Sequence, residues 1–375
     1  PARRQVDFVF GPLLQLRRLA RGRELCTEGK STGFASMLDD AIALISQRKD
    51  LTREQAADAM RLLMSGEASP VQVSALLMGL RVKGETIDEI TGFAQVMRDM
   101  AVPILPRRTP LIDIVGTGGD HSGSFNISTS ASFVVAGAGM AVAKHGNRSA
   151  TSKCGSADVL EALGVNIDAT PEQVLRCIDE TGIGFLFARS VHTAMKHVAP
   201  IRSELRATRT VFNILGPLTN PARPTGFSIG VFEPGLAEPL AHVLANLGAR
   251  HAFVVSGKDG LDEISLSGPT RVAEVLNGRV TTYEITPEQM GLATVPRDAV
   301  AGGSPAENAG ILRSVLAGEP GPRRDVVLLN AASGLRAGDD ALDWAAALEL
   351  ARESIDSGAA LRTLETLIKV SNDSR

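Results

Sequence analysis

Residues 111–120 constrain the fold of this chain more than any other stretch, because an apolar run ends there at three glycines in four positions. The run 111–115 predicts a buried strand, and Gly116, Gly118 and Gly119 allow positive φ and close backbone approach. Residues 128–135 predict a helix whose N-terminus faces the same point, where its dipole and free N–H groups favour an anion. The stretch therefore predicts a phosphate site, with a plain tight turn as the alternative.

The glycine loop matches neither of the standard phosphate fingerprints. A P-loop has Lys-Ser or Lys-Thr after its last glycine, and a dinucleotide site has the pattern GxGxxG. Here His121 stands where the last glycine of the second pattern would fall. The loop thus indicates an anion without specifying the ligand.

Composition narrows the class of protein. The chain has 375 residues, 44% of them hydrophobic, which is enough for two domains with real cores. A net charge of −3 argues against nucleic acid as the main partner. The three cysteines, Cys26, Cys154 and Cys177, are far apart and suggest neither disulfides nor zinc, which favours the cytoplasm. No apolar run is long enough to span a bilayer, and no signal peptide is indicated.

Residues 1–36 differ from the rest because they are basic and irregular. They predict a disordered N-terminal extension, with a nucleic-acid arm as the less favoured alternative. The folded part is expected to begin at Met37.

Four short helices are predicted before residue 100, because capping signals recur there. Thr52 and Thr86 each precede a Gln or Glu by three residues, which is the capping-box pattern, and Ser69 precedes a proline at the first helical position. The helices are predicted at 37–48, 53–65, 70–82 and 87–99. Such a bundle is too small to bury all its apolar faces, so part of that surface should pack against the rest of the chain or a second chain.

Strands and helices alternate beyond a linker marked by Pro103, Pro106 and Pro110. Further strands are predicted at 141–144, 184–188, 228–232 and 251–256, with helices at 156–163, from 170, and at 236–247. The end of the chain is predicted to be helical, at 306–317, 323–333, 340–356 and 359–370. The predicted fold class is α/β, with a small helical N-terminal domain and a larger domain built on a mainly parallel central sheet.

Other polar groups open predicted helices or follow predicted strands. Residues 124–129 carry more hydroxyl and amide groups than one N-cap needs. Residues 144–149 bring a lysine and an arginine to the end of a strand, where α/β sheets bind ligands. Asp262 and Glu263 are adjacent carboxylates that suit Mg²⁺ beside phosphates, although an acidic surface turn is the favoured explanation for this pair alone. Arg202 could grip a carboxylate, although a solvated helix face is again favoured in isolation.

Taken together, these stretches resemble the anthranilate phosphoribosyltransferase family over residues 37–370. The motifs that carry the resemblance are Gly116-Thr117-Gly118-Gly119-Asp120, Asn126-Ile127-Ser128-Thr129, Lys144-His145-Gly146-Asn147-Arg148-Ser149, Gly155-Ser156-Ala157-Asp158, the run 212–221, and Leu261-Asp262-Glu263. Several motifs in one order are more specific than any single glycine loop. Three positions depart from the family pattern: Cys154 stands for a usual serine, Arg206 for a common glycine, and Ser124 for a frequent threonine.

The resemblance implies a domain arrangement and a reaction. A helical domain of residues 37–108, with an inserted segment of about 195–222, would be hinged to an α/β domain of 109–194 and 223–375, and would form homodimers. The implied reaction transfers the phosphoribosyl group of 5-phosphoribosyl 1-diphosphate to the amine of anthranilate and releases diphosphate. This is the second step from chorismate to tryptophan.

The resemblance also implies the site residues. Mg²⁺ would be held by Ser128, Asp262 and Glu263. Anthranilate would be bound by Gly116, Asn147 and Arg202, with Arg202 near its carboxylate. The residues implied for the phosphoribosyl diphosphate are Gly116, Gly119, Asp120, Ser124, Asn126, Ile127, Ser128, Thr129, Lys144, His145, Gly146, Asn147, Arg148, Ser149, Ala150, Thr151, Ser152 and Ser156.

No general base is assigned, because an aromatic amine is already neutral at physiological pH. Catalysis would rest on stabilising the leaving diphosphate and holding the amine at C1 of the ribose. Two alternatives stay open: a pyrimidine nucleoside phosphorylase, which shares the architecture, and a non-catalytic relative that binds nucleic acid. The carboxylate pair and the lysine motif disfavour the first, and the negative net charge disfavours the second.

Overall fold

The computed structural model describes residues 32–149, 152–205 and 208–373, with only the backbone described for 32–36. Residues 1–31 of the predicted extension lie outside this part, and so do the site candidates Ala150 and Thr151 and the unusual Arg206.

Four helices open the described chain, as the capping signals predict. They are α1 (Thr32–Ser46), α2 (Arg53–Ser65), α3 (Pro70–Lys83) and α4 (Ile87–Asp99). The side chains of Thr52, Ser69 and Thr86 each accept the N–H three residues on, and a Gln or Glu side chain completes each box. The first helix begins at Thr32, earlier than the predicted start at Met37.

A seven-stranded sheet, in the order β3-β2-β1-β4-β5-β6-β7, forms the centre of the rest of the molecule. The strands are β1 (Leu111–Gly116), β2 (Ala141–Gly146), β3 (Ile183–Phe187), β4 (Gly226–Gly230), β5 (His251–Gly257), β6 (Thr270–Leu276) and β7 (Arg279–Ile285). Strands β1–β5 pair in parallel, and β6 and β7 continue the sheet antiparallel. The mainly parallel sheet is confirmed, whereas the β6–β7 hairpin is absent from the predicted elements.

Eleven α-helices of the described chain follow β1. They are α5 (Ile127–Gly137), α6 (Ser156–Ala162), α7 (Pro171–Thr181), α8 (Ala188–Val191), α9 (Ala199–Glu204), α10 (Phe212–Leu215), α11 (Ala237–Asn246), α12 (Pro305–Leu316), α13 (Pro322–Gly338), α14 (Trp344–Asp356) and α15 (Ala359–Ser371). None of the helices in the described ranges is long and apolar enough to cross a membrane.

The two faces of the sheet have separate cores, because side chains alternate along each strand. On β5, Phe253 belongs to the core shared with α5 and α13, whereas Val254 belongs to the core shared with α11 and the N-terminal bundle. Helix α4 packs on α11, and the buried Arg98 guanidinium donates to the carbonyl oxygens of Leu218 and Leu247. The bundle thus buries part of its surface against the rest of the chain, as expected.

The strand order changes direction between β1 and β4. From β1, the chain first adds β2 and β3 on one side and then returns to add β4 and β5 on the other. In open α/β sheets, ligands bind outside the carboxyl ends of the strands at such a switch point. The glycine loop follows β1 directly at this position.

Candidate active site

Asp262 lies against the glycine loop, close to two glycines. The Gly118 N–H donates to Asp262 Oδ2 at 2.8 Å, with Gly118 in the left-handed region at φ 66°. A Cβ atom on Gly116 would lie 2.6 Å from Asp262 Oδ2, and one on Gly230 would lie 1.6 Å from the Asp262 carbonyl oxygen. The carboxylate that follows β5 therefore reaches the loop only because β1 and β4 both end in glycine.

The adjacent carboxylates of Asp262 and Glu263 are both buried, at 8% and 9% exposure. The Ser128 N–H, in the first turn of α5, donates to Glu263 Oε1 at 3.2 Å. Burial, followed by the charges of Asp120 and Glu263, raises the pKa of Asp262 well above its usual range. Burial raises the pKa of Glu263 to about 7, against the attraction of Lys144.

This acidic pair fits a divalent cation, which would offset both the burial and the mutual repulsion of the carboxylates. Across the described ranges, no three His, Cys, Asp or Glu side chains converge on a metal position. The remaining ligands would have to be hydroxyl, water or substrate oxygens, which is the usual pattern for Mg²⁺ beside phosphates.

A buried ion network supports the end of β2. The Lys144 Nζ donates to the Ile114 carbonyl oxygen at 2.7 Å, and burial lowers the pKa of Lys144 to about 8 despite the attraction of Asp113 and Glu263. Asp113 accepts the His145 N–H at 3.1 Å and the Asn220 Nδ2–H at 2.8 Å. Burial raises the pKa of Asp113 to about 6. Lys144 thus brings positive charge beside the acidic pair.

Two buried histidines, His145 and His192, lie edge to face with ring centroids 5.1 Å apart. His145 Nδ1 is 3.1 Å from the Gly216 carbonyl oxygen, so Nδ1 carries the proton and Nε2 is an acceptor. Within the described chain, neither Nε2 atom has a partner. Burial lowers the pKa of His145 to about 3 and that of His192 to about 4, so both rings are neutral.

The N-terminus of α5 is connected to two other segments through Asn126. Its Nδ2 donates to the Cys154 carbonyl oxygen at 3.2 Å, and its Oδ1 accepts from Asn308 Nδ2 at 2.9 Å. The Cys154 thiol also donates to Asn126 Oδ1 at 3.3 Å, and burial raises the pKa of this thiol to about 11. Thr129 is buried with its hydroxyl unpartnered in the described chain, and Ser124 forms a bridge to Ala301.

The loop after β2 turns back on the first turn of α6. The Ser156 hydroxyl donates to the Asn147 carbonyl oxygen at 3.3 Å, and the Ser149 hydroxyl donates to the Ser152 carbonyl oxygen at 2.6 Å. The Arg148 guanidinium pairs with Asp158 at 3.0 Å and Glu161 at 2.7 Å. These acidic partners engage Arg148, so its charge is less available to a ligand than the sequence motif suggests.

Arg202 and Arg209, which both lie in the segment before α11, have different contacts. The Arg202 guanidinium lies 4.9 Å from the centroid of the Phe212 ring, and burial lowers its pKa. The Arg209 guanidinium lies 3.9 Å from the centroid of the Phe232 ring and donates through Nη2 to the Gly119 carbonyl oxygen. Arg209 is therefore the arginine in direct contact with the glycine loop.

The structure thus gathers the predicted glycine loop, the start of α5, Lys144 and the acidic pair at one edge of the sheet. It contributes three further side chains that the predicted site lacks, namely His192, Arg209 and Asn308. Only Arg209 carries a signal in the sequence, because it belongs to the basic run around Arg202.

Residues 108–361 match the α/β domain of a glycosyl transferase family, and residues 39–101 match the helical bundle domain that accompanies it. The fold and the site thus define a glycosyl transferase with a helical domain and an α/β domain.

Curated relatives and solved structures narrow the family. The chain is 59% identical to the anthranilate phosphoribosyltransferase of Symbiobacterium thermophilum, over 86% of this chain and 94% of the relative. The crystal structure of the Thermus thermophilus enzyme superposes with a TM-score of 0.85 at 47% identity, covering 89% of this chain and all of that one. The Saccharomyces cerevisiae enzyme, solved in complex with PRPP and Mg, has a TM-score of 0.82 at 31% identity, covering 90% and 98%. The chain belongs to the anthranilate phosphoribosyltransferase family, which confirms the family and the activity predicted from the sequence.

Proposed function

We propose that this site binds 5-phosphoribosyl 1-diphosphate with Mg²⁺ and transfers its phosphoribosyl group to anthranilate. The observation that carries the proposal is the buried pair Asp262 and Glu263 beside the glycine loop. A buried pair of like charges needs a compensating cation, and the adjacent N–H groups suit an anionic ligand of that cation. The yeast relative, solved in complex with PRPP and Mg, supports this proposal.

In this proposal, Ser128, Asp262 and Glu263 would hold Mg²⁺, and the cation would supply positive charge that stabilises the leaving diphosphate. The glycine loop from Gly116 to Asp120 and the first turn of α5 present N–H and hydroxyl groups to the phosphates. Lys144, which bonds to the Ile114 carbonyl oxygen in β1, adds positive charge beside the acidic pair. Residues 146–149 and 152–156 are proposed to border the phosphoribosyl site on its other side.

Anthranilate is proposed to lie between Gly116, Asn147 and Arg202, with its carboxylate on the Arg202 guanidinium. Arg202 is half-buried and stacked on Phe212, so a carboxylate partner there would be only weakly screened by water. The aromatic amine is already neutral at physiological pH, so no side chain is required to deprotonate it before it attacks C1. The low pKa values of His145 and His192 agree with this, because neutral rings of that kind are poor bases.

Four further properties belong to the same proposal. The helical domain is proposed to comprise residues 37–108 and about 195–222. The α/β domain is proposed to comprise residues 109–194 and 223–375. The protein is proposed to act as a homodimer formed through the helical domain, in the cytoplasm, with no nucleic-acid partner. The exposed Val71 and Val82 side chains of α3 support the dimer, and the net charge of −3 supports the absence of nucleic acid.

The reaction is tested by incubating purified protein with anthranilate, 5-phosphoribosyl 1-diphosphate and Mg²⁺, and following anthranilate fluorescence. The fluorescence should fall with Mg²⁺ present and stay constant when EDTA removes it. A failure to consume anthranilate, with phosphorolysis of uridine or thymidine instead, would favour the phosphorylase alternative.

The position of anthranilate is tested with Arg202→Ala. This substitution should raise the KM for anthranilate by roughly tenfold or more, the effect of one lost charge-assisted bond, and should raise the KM for the diphosphate much less. A comparable rise in both KM values would remove Arg202 from the proposed role.

A further inference from the structure

The loop that carries Asp262 and Glu263 is fixed by a buried side chain from another part of the chain. Asn330 lies in α13 and is 1% exposed. Its Oδ1 accepts the Ile264 N–H at 2.9 Å, and its Nδ2 donates to the Ile264 carbonyl oxygen at 3.0 Å. One amide therefore satisfies both backbone groups of the residue that directly follows the acidic pair.

Burying an asparagine at this position costs free energy unless its amide group is hydrogen-bonded. A buried amide in an apolar helix loses its water contacts, and only hydrogen bonds compensate. Asn330 makes three: two to Ile264, and one from Nδ2 to the Val326 carbonyl oxygen at 2.9 Å. An apolar side chain there would leave the Ile264 N–H and carbonyl groups buried without partners.

The loop is held on its other side by β4. Gly230 lies so close to the Asp262 carbonyl oxygen that a Cβ would be 1.6 Å from it. The backbone of Asp262 thus rests on β4, that of Ile264 on α13, and Glu263 lies between them. Since both ends are fixed, the directions of the Asp262 and Glu263 carboxylates are fixed as well.

We propose that Asn330 is a positioning residue for the Mg²⁺ site: through Ile264, it sets the direction in which Asp262 and Glu263 present their oxygens. This inference rests on the metal-binding role proposed above for the two carboxylates. Groups outside the ligand set that orient metal ligands typically contribute roughly ten- to a hundredfold to metal affinity. Asn330 acts on the two carboxylates through the backbone of Ile264, since its amide bonds to Ile264 and Val326 and to neither carboxylate.

The test measures binding of 5-phosphoribosyl 1-diphosphate by calorimetry, without anthranilate, over a series of Mg²⁺ concentrations. The measured quantity is the Mg²⁺ concentration that gives half of the maximal gain in affinity. Asn330→Ala should raise this concentration by roughly tenfold or more. Asn330→Ser, which keeps one hydrogen-bonding group, should give a smaller rise and takes over the test if the alanine variant does not fold.

Ser333→Ala is the matched control. Ser333 is buried on the same helix. Its hydroxyl bonds to the Ser228 hydroxyl of β4 at 2.6 Å and to the Asn330 backbone carbonyl oxygen at 2.7 Å, but not to the Asn330 side-chain amide or to residues 262–264. It should lose some thermal stability and keep the wild-type Mg²⁺ dependence. If the asparagine variants keep that dependence too, or if Ser333→Ala shifts it equally, Asn330 has only a structural role. If the wild-type protein shows no Mg²⁺ dependence, the proposed metal role itself fails.

Discussion

Single residues decide where the acidic pair can lie, and the most sensitive of them are glycines. Gly116 ends β1 and faces the Asp262 carboxylate, whereas Gly230 ends β4 and faces the Asp262 backbone. A sequence motif marks Gly116 as part of an anion loop. It does not indicate that the missing side chain makes room for a carboxylate from a loop far along the chain.

Gly116→Ala tests whether the absent side chain of Gly116 makes room for the Asp262 carboxylate. The added Cβ would lie 2.6 Å from Asp262 Oδ2, so the carboxylate must move away from the Gly118 N–H that it accepts. We expect the Mg²⁺ concentration needed for half-maximal activity to rise by roughly tenfold, with little loss of stability.

Gly235→Ala is the control for this substitution, since nothing lies within 4 Å of a Cβ there. That variant should have the wild-type Mg²⁺ requirement. If Gly116→Ala behaves in the same way, the carboxylate is not held in the place described.

At the scale of elements, local signals predict the N-terminal helices well. The cap residues Thr52, Ser69 and Thr86 lie where their pattern places them, and the four helices follow within a few residues, except at the start of the first. Capping depends on side chains within one turn of each other, so the sequence contains all the information needed.

The β6–β7 hairpin is absent from the predicted elements although its turn carries a local signal. Asn277 and Gly278 connect the two strands with φ values of 50° and 82°. An Asn-Gly pair is the strongest short-range hairpin signal, because both residues accept positive φ. The hairpin departs from the repeated βα pattern of the preceding strands, because its two strands are joined without a helix.

In the site, by contrast, local signals predict the motifs but not the contacts between them. Its separate motifs could be predicted, because each has a local pattern of glycines, hydroxyls or charges. The contacts between Arg209 and Gly119, or between Asn330 and Ile264, join residues far apart in the chain. They follow from how the sheet and its helices pack, and no local pattern encodes them.

The capping box of α4 also provides a prediction about stability. Glu89 is buried, and its carboxylate accepts the Leu51 N–H at 2.9 Å, the Thr86 N–H at 2.8 Å and the Lys83 ammonium at 3.0 Å. Glu89→Ala would leave the Leu51 and Thr86 N–H groups unpaired and would remove one of the two carboxylates that pair with Lys83, which keeps Asp50. The loss should lower the free energy of unfolding by about 3 kcal/mol.

Gln72→Ala is the matched change, since Gln72 fills the same position in the exposed box of α3. It should cost about 0.5 kcal/mol. Urea denaturation followed by circular dichroism measures both variants. Equal effects would mean that the buried position of Glu89 adds nothing to an ordinary cap.

At the scale of the whole molecule, the described site is built within one chain. Asp262 and Arg209 bond to the glycine loop, and Lys144 bonds to the strand that precedes the loop, all within one copy of the chain. The N-terminal bundle packs on α11 with one side and leaves part of α3 exposed. The candidate active site and the proposed dimer interface therefore lie on different surfaces of the molecule.

The proposed dimer is tested on the exposed face of α3. Val71 and Val82 are 77% and 66% exposed, and they are about three helical turns apart, which brings them to the same face. Large apolar side chains on one exposed face favour association.

The double substitution Val71→Asp and Val82→Asp should therefore convert the dimer to a monomer in sedimentation velocity, because two carboxylates would have to be buried in the interface. Leu276→Asp, at the exposed end of β6, should leave the dimer intact. The monomer should still consume anthranilate, since the described contacts of the site all come from one chain. An unchanged dimer would place the interface elsewhere.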